Sequence, residues 1–272
     1  MAYNIQDSTQ VLDMNCKAFE PVLNITNKGD TMYYLDMHCH ILPGVDDGSK
    51  NMEMSMDMLD YAYEEGVRAI ILTPHYHGGF VETPRSVIDD TFEELNYNNK
   101  KVHPDLKLFI GNEIYYYPSV PEWIEEGRVH SLADSDYVLL EFSNQVRKRE
   151  LLEAVQNLCG HGYFPVIAHV ERYECLVKEP AYVGELISNG AYIQVNSKTV
   201  AGEGGMKIRH FVKKLLKEEW IHFIGTDAHS MGNRKPEMEE CAEYIIKKCG
   251  EEYAAEILYE NAVHVINNEP LY

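Results

Sequence analysis

Seven short apolar runs rich in β-branched residues, alternating with helix-favouring stretches, constrain this chain more than any other feature. They fall at 34–37, 69–73, 106–110, 137–140, 164–168, 191–195 and 221–225. Helical stretches are expected at 51–65, 84–97, 150–160, 181–188, 205–218, 236–249 and 251–260, two of them stopping at the glycines Gly66 and Gly160. Apolar runs without polar alternation read as strands covered on both faces, and strands that return through helices pair in parallel. The expected fold is α/β, a TIM-like (β/α) barrel one unit short of the usual eight. A doubly wound open sheet is the competing topology. No linker rich in Pro, Gly or Ser divides the 272 residues, which predicts one catalytic domain over 33–272. Residues 1–32 show no clear period and are expected to form an extension.

Charge narrows the function. Lys and Arg number 24 against 44 Asp and Glu, a formal net charge of −20, which argues against general nucleic-acid binding. No apolar run approaches the ~20 residues needed to cross a bilayer. The first thirty residues lack a basic start, an apolar stretch and a small-residue cleavage site, so a cytoplasmic protein is expected. Six cysteines (Cys16, Cys39, Cys159, Cys175, Cys241, Cys249) include no C-x-x-C pair, and none is followed by an arginine six positions on. A zinc knuckle, a redox dithiol and a cysteine-nucleophile phosphatase loop are therefore unsupported. G-x-S-x-G and G-x-x-x-x-G-K-[ST] are absent as well.

The chemistry-bearing residues stand where the predicted strands end. The first strand delivers Asp36-Met37-His38-Cys39-His40, in which residues two apart face the same way. The second is followed by Thr73-Pro74-His75-Tyr76-His77, the third by Gly111-Asn112-Glu113, and the fourth ends at Glu141. The fifth runs into His169-Val170-Glu171-Arg172 and the seventh into Thr226-Asp227-Ala228-His229, while Asp46 and Asp47 occupy the first strand-to-helix loop. A single histidine at a strand end is ordinarily a packing residue. Imidazoles and carboxylates converging from six strands are costly to bury unless cations sit among them. Such a mixed set suits Mn²⁺, Fe²⁺ or Zn²⁺.

These residues resemble a known family. Asp36–His40, the run Pro43-Gly44-Val45-Asp46-Asp47-Gly48-Ser49, Thr73-Pro74-His75, Glu113-Ile114-Tyr115, Glu141-Phe142-Ser143, His169-Val170-Glu171-Arg172 and the stretch 230–236 after Asp227-Ala228-His229 look like the PHP (polymerase and histidinol phosphatase) family. Within it they match the bacterial tyrosine-phosphatase branch of capsule and exopolysaccharide operons, the CpsB/CapC type that also includes YwqE. The resemblance runs in unbroken order from Leu35 to the C-terminus. It implies a distorted (β/α)7 barrel holding three divalent ions, manganese first, with iron or zinc as alternatives. Carried onto this chain, His38, His40, Glu113 and Asp227 would hold one ion. Glu113 would bridge to a second, completed by Glu141 and His169. Asp47, His75 and His229 would hold a third. Carboxylates at Asp47 and Glu141, where other branches often have histidine, favour the tyrosine-phosphatase branch. His77 stays outside this set, open between substrate contact and packing.

Three divalent ions outweigh four carboxylates (Asp47, Glu113, Glu141, Asp227) by two charges, a cationic spot that would attract a phosphate monoester. A hydroxide bridging two ions would be the nucleophile, because metals lower the pKa of bound water to about 7. Arg172 and Arg234 are placed to clamp phosphoryl oxygens with forked donors. Phenolate leaves readily, so no dedicated general acid is assigned. Tyr115-Tyr116-Tyr117-Pro118 could form an aromatic wall beside the mouth but reads first as rim packing, and Met52, Met54, Met56 and Met58 as a helix packing face. The expected function is a metal-dependent protein-tyrosine phosphatase acting, by the resemblance, on the tail of a bacterial tyrosine autokinase. A small-molecule phosphomonoesterase (histidinol phosphate, for example) and a non-catalytic metal-binding regulator are the alternatives. Oligomeric state is not readable.

Overall fold

The structure is a computed structural model that describes residues 32–271. The predicted extension over 1–32 therefore lies, apart from Met32, outside the described residues. Among the described residues nine strands occur in chain order: β1 Tyr34–Cys39, β2 Val67–Leu72, β3 His75–Tyr76, β4 Lys107–Ile110, β5 Glu113–Tyr115, β6 Tyr137–Glu141, β7 Phe164–Ile167, β8 Tyr192–Asn196 and β9 Phe223–Gly225. Every ladder between them is parallel, in the orders β1-β2-β4 and β3-β5-β6-β7-β8-β9, which gives a mixed α/β fold built as a parallel-strand half-barrel.

The expected strands at 69–73 and 106–110 are present as β2 and β4, and each is followed by a further short strand that was not expected. β2 stops before Thr73-Pro74, where proline has no N–H for the ladder, and resumes as β3. β4 stops before Gly111-Asn112 and resumes as β5. The third sequence-derived helix is found at Lys148–Gly160, the fourth at Ala181–Ser188 and the fifth at Met206–Lys217. The second runs further than expected, over Arg85–Val102. The last expected helix divides into Glu251–Ala255, a π-wound turn at Glu256–Glu260 and Asn261–Ile266. The short helices Val120–Glu125, Glu174–Lys178 and Ser197–Ala201 were not foreseen, since five or six residues carry no readable 3.6 period. Among the described residues no helix is long and apolar enough to cross a membrane.

Burial on both strand faces explains why the strands read as apolar runs. One face packs on the helices: Ile70 and Leu72 of β2 and Leu140 of β6 join Met58, Leu59, Leu151 and Leu215. The other face forms a second cluster of Leu35, Met37, Ala69, Ile71, Tyr137, Leu139, Val166, Ala168 and Phe223. Tyr259, Ala262 and Val265 from the C-terminal helix complete that cluster.

Following this second face along each strand leads to the chemistry. The parity of Ala69 and Ile71 continues to Thr73 and His75; that of Tyr137 and Leu139 continues to Glu141; that of Phe223 continues to Gly225 and Asp227. Two strands switch parity. In β1 the register shifts between Asp36 and Cys39, so His38 and His40 take over from Leu35 and Met37. After β7, His169 has a left-handed backbone at φ 32°, which turns its ring after Ala168. β1 and β9 meet at their ends, where the His40 N–H donates to the Ala228 carbonyl at 2.8 Å and the Asp227 N–H to the His38 carbonyl at 2.7 Å. Asp36, fully buried, ties them by accepting from the Thr226 N–H at 2.9 Å and from the Thr226 hydroxyl.

Candidate metal centre

Glu113 stands in the middle of the polar end of the sheet. Its Oε1 accepts from His169 Nε2 at 2.7 Å. Its Oε2 lies 3.2 Å from His38 Nε2, 3.2 Å from His40 Nε2 and 3.0 Å from His75 Nδ1, yet makes no aligned hydrogen bond with any of them. Burial opposes its charge, but the neighbouring His38 and His169 hold the carboxyl well below the usual range. Glu141, beside it, is pushed up to about 7, first by burial and then by the Glu113 charge.

Three groups of potential ligands surround this carboxylate, the donor atoms of each within 4.8 Å of one another: His38, His40, Glu113 and Asp227; His40, Asp47, His75 and His229; His75, Glu113 and Glu141. His169 lies within reach of the last group, its Nε2 3.7 Å from Glu141 Oε1. Asp47 approaches from the exposed loop, 3.5 Å from both His75 Nε2 and His229 Nε2. All nine residues named from the sequence thus converge on one end of the strands.

The surroundings decide which nitrogen of each ring is free. His38 Nδ1 faces Gln194 Oε1 at 3.2 Å, and that amide is oriented by accepting the His169 N–H at 2.6 Å. His40 Nδ1 donates to Asp46 Oδ2 at 2.8 Å, and His229 Nδ1 to the Asp227 carbonyl at 3.0 Å. With the Nδ1 protons committed, the Nε2 lone pairs of His38, His40 and His229 turn toward the carboxylates. Burial keeps His169 and His229 uncharged, His229 down at about 3. Glu113 Oε2, His169 Nδ1 and His229 Nε2 are buried without a hydrogen-bond partner. Imidazole nitrogens and carboxylate oxygens gathered around common points, with the outer nitrogens of His38, His40 and His229 already bonded, fit divalent cations.

The arginines converge on one carboxylate. Arg172 Nη2 donates to Asp227 Oδ2 and Arg234 Nη2 to Asp227 Oδ1. Both guanidinium groups are partly exposed and line a cavity of about 260 Å³ with Glu171, Asn196, Lys198 and Thr226. Asp227 itself has φ 53°, a left-handed backbone that non-glycine residues rarely adopt, so this turn is held by its surroundings.

Several supporting residues escaped the sequence reading. Asp46, noted only as a loop acid, accepts the His75 N–H at 2.9 Å and the Gly48 N–H at 2.9 Å besides its bond to His40. A Cβ on Gly48 would meet the His40 carbonyl oxygen at 2.2 Å, which gives the Asp-Asp-Gly run its physical reason. A Cβ on Gly225 would meet His38 Cβ at 2.6 Å. On β8, which carries no candidate ligand, Gln194 Nε2 donates to Asn196 Oδ1 at 3.0 Å and Asn196 Nδ2 to Asp227 Oδ2 at 2.9 Å. Two amides at alternate positions of an otherwise apolar strand were the available signal. His77 reaches the rim two residues beyond His75, and Tyr116 packs against the core near Phe142, as the packing reading of that tyrosine expected. The four methionines of Met52–Glu64 also pack on the core.

Comparison with known proteins identifies the family. The family model for capsular polysaccharide synthesis proteins of the CpsB/CapC type matches residues 34–267. The tyrosine-protein phosphatase CpsB of Streptococcus pneumoniae is 35% identical over 240 residues, covering 86% of this chain and 99% of the relative. The tyrosine-protein phosphatase YwqE of Bacillus subtilis is 32% identical over 241 residues, covering 88% and 93%. A crystal structure from work on YwqE of Bacillus subtilis and CpsB of Streptococcus pneumoniae, described as metal-dependent tyrosine phosphatases, superposes with a TM-score of 0.81 at 32% identity, covering 88% of this chain and 96% of that one. With its motifs in unbroken order and these matches over most of its length, the chain belongs to the CpsB/CapC family.

Proposed function

We propose that this protein is a metal-dependent protein-tyrosine phosphatase whose catalytic domain spans 33–272, with residues 1–32 as an extension. The observation that carries the reading is the Glu113 carboxylate, ringed by four imidazoles and carrying one oxygen without a hydrogen bond. In this reading one ion takes His38, His40, Glu113 and Asp227. A second takes Glu113, Glu141 and His169, and a third Asp47, His75 and His229. Manganese is the expected metal, with iron or zinc able to use the same donors. Bound ions supply positive charge and a water of lowered pKa. The contacts between the ends of β1 and β9 support reading the two sheets as one distorted (β/α)7 barrel with this centre at its mouth.

The chain's own groups do the rest. Arg172 and Arg234 hold planar donors at the cavity edge, where they can exchange Asp227 for the non-bridging oxygens of a phosphoryl group. Asp46, Gln194 and the Asp227 carbonyl fix three rings in one tautomer, so the centre needs no rearrangement when substrate arrives. Phenolate departs without a strong acid, consistent with a mouth that offers arginines and tyrosines. The expected partner, the tyrosine-rich tail of a bacterial autokinase, would place the reaction in the cytoplasm.

The deciding assay compares a phosphotyrosine peptide, a phosphoserine peptide and histidinol phosphate on manganese-loaded protein, with His169→Ala as control. Preference for phosphotyrosine is expected. Preference for histidinol phosphate would move the protein to the small-molecule phosphatases, and activity no higher than that of His169→Ala would make it a metal-binding regulator.

A further inference from the structure

Beside the ionic centre lies a second layer that the proposed chemistry leaves unused. β3 and β5 pair His75 with Glu113, and their side chains meet at 3.0 Å. Two residues further along the same two segments, His77 and Tyr115 meet again, as rings stacked at 4.1 Å with 9° between their planes. Alternate residues of a strand share a face, so the ionic pair and the aromatic pair are successive rungs roughly 6.6 Å apart. Tyr115 also pairs along the backbone with Glu141, which places it directly at the edge of the carboxylate cluster.

Phe80 extends this layer outward. Its ring centre is 4.6 Å from that of His77, yet the side chain is 78% exposed. A single exposed phenylalanine is unremarkable by itself. This one is held out by a closed turn: His77 and Val81 exchange both backbone hydrogen bonds at 2.8 and 2.9 Å, and the Phe80 N–H donates to the His77 carbonyl at 2.9 Å. Gly79 supplies the left-handed step at φ 82°, and a Cβ on Gly78 would strike the Trp123 ring at 2.9 Å. Tyr117 closes the other side, its hydroxyl 3.2 Å from His77 Nε2 and its ring centre 5.9 Å from that of Tyr115. The result is an aromatic ledge, rigid at its base, opening beside the centre.

We infer that this ledge, formed by His77, Phe80 and Tyr115, binds the phenyl ring of the phosphotyrosine whose phosphoryl group is held at the adjacent centre. The inference rests on the phosphatase reading above and adds the element that separates aryl from alkyl phosphates. The phosphorus and ring of phosphotyrosine are joined by one ester oxygen, a span that fits within one rung spacing. A phosphoserine reaching the same centre leaves the ledge uncovered. Ring recognition by stacking also tolerates varied flanking sequence, since the contact is made by the reacting residue itself.

The test separates the ledge from the chemistry. On metal-loaded protein, binding of benzylphosphonate and of ethylphosphonate is measured by calorimetry, neither being hydrolysable at its P–C bond. Turnover of a phosphotyrosine peptide and of acetyl phosphate (a ring-free acyl phosphate with a good leaving group) is measured alongside. Benzylphosphonate should bind more tightly than ethylphosphonate. Phe80→Ala and Tyr115→Leu should each reduce that advantage roughly 2- to 12-fold, the usual range for one aromatic pair, and raise KM for the peptide while sparing acetyl phosphate. Tyr115→Phe and Phe80→Trp, which keep a ring, should retain it. Equal affinity of the two phosphonates for the wild-type protein, or equal losses on both ligands in the variants, would overturn the ledge. A wild-type protein that binds benzylphosphonate preferentially but does not hydrolyse the peptide would overturn the phosphatase reading and leave the ledge standing.

Discussion

Replacing Gln194 by leucine should loosen the centre while leaving every candidate ligand in the sequence. Gln194 is fully buried and makes contacts with three partners: its Oε1 with His38 Nδ1 at 3.2 Å and the His169 N–H at 2.6 Å, and its Nε2 with Asn196 Oδ1 at 3.0 Å. Through Asn196 it also steadies Asp227. Leucine fills most of the volume but leaves these three groups buried and unpaired, at about 1–3 kcal/mol each, with strong coupling between them. The unfolding free energy of the metal-free protein should therefore fall by about 3 kcal/mol. His38 loses the acceptor that keeps its Nε2 lone pair directed at Glu113, and outer partners of this kind are worth about 10- to 100-fold in metal affinity. At about 1.4 kcal/mol per tenfold, the loss corresponds to about 1.4–2.8 kcal/mol. Competition of the loaded protein against a graded chelator, with metal counted per chain by elemental analysis, measures it directly. Gln194→Glu keeps the acceptor for His38 and His169 and should retain most of the metal. A folded Gln194→Leu protein that holds its metal as tightly as wild type would refute the tautomer argument.

Glu113→Gln should strip metal, because one carboxylate serves two ligand groups, whereas Arg172→Ala should keep metal and raise KM roughly 10- to 100-fold for lost charge-assisted bonds; equal metal loss in both would undo that division. His222 gives a stability signature far from the centre. Burial pushes it down to about 4 from 6.5, and its Nδ1 accepts the Ile193 N–H at 3.1 Å, so the folded state resists protonation. The unfolded chain then binds more protons, and stability present above pH 6.5 is lost as pH falls toward 4, by about 2 kcal/mol at pH 5 and about 3 kcal/mol in full. His222→Asn keeps an acceptor and should flatten that part of the denaturation-versus-pH profile; parallel profiles for the two proteins would contradict it. Chelation should abolish phosphatase activity while thiol alkylation spares it. Cys39, Cys159, Cys175, Cys241 and Cys249 all have thiols pushed up by burial, leaving little thiolate to attack, so inactivation by alkylation alone would restore a cysteine mechanism.

Local spacing made much of the centre legible. His38 and His40 could be paired because alternation along a strand is a short-range rule, and each other candidate ligand could be placed at a strand end or in its loop because apolar runs mark strands by themselves. The residues that support the ligands were not legible in the same way. Amides and glycines carry no chemistry-specific signature, and Gln194, Asn196, Asp46, Gly48 and Gly225 matter only through what they touch.

The linear order of residues decided that strands and helices alternate, that charge gathers where strands end, and which family motifs are present, because these depend on neighbours within a few positions. Tertiary structure alone decided the rest. The register shift in β1 and the left-handed turn at His169 re-aim rings that simple alternation would point elsewhere. Packing of distant strands put both arginines on Asp227, freed one nitrogen on each of three histidines, and set His77 against Tyr115 one rung beyond the ionic pair. The longest of those contacts, His38 to Gln194, Arg172 to Asp227 and His77 to Tyr115, join residues 156, 55 and 38 positions apart. Their geometry is set by how the whole sheet curves, which no local pattern encodes.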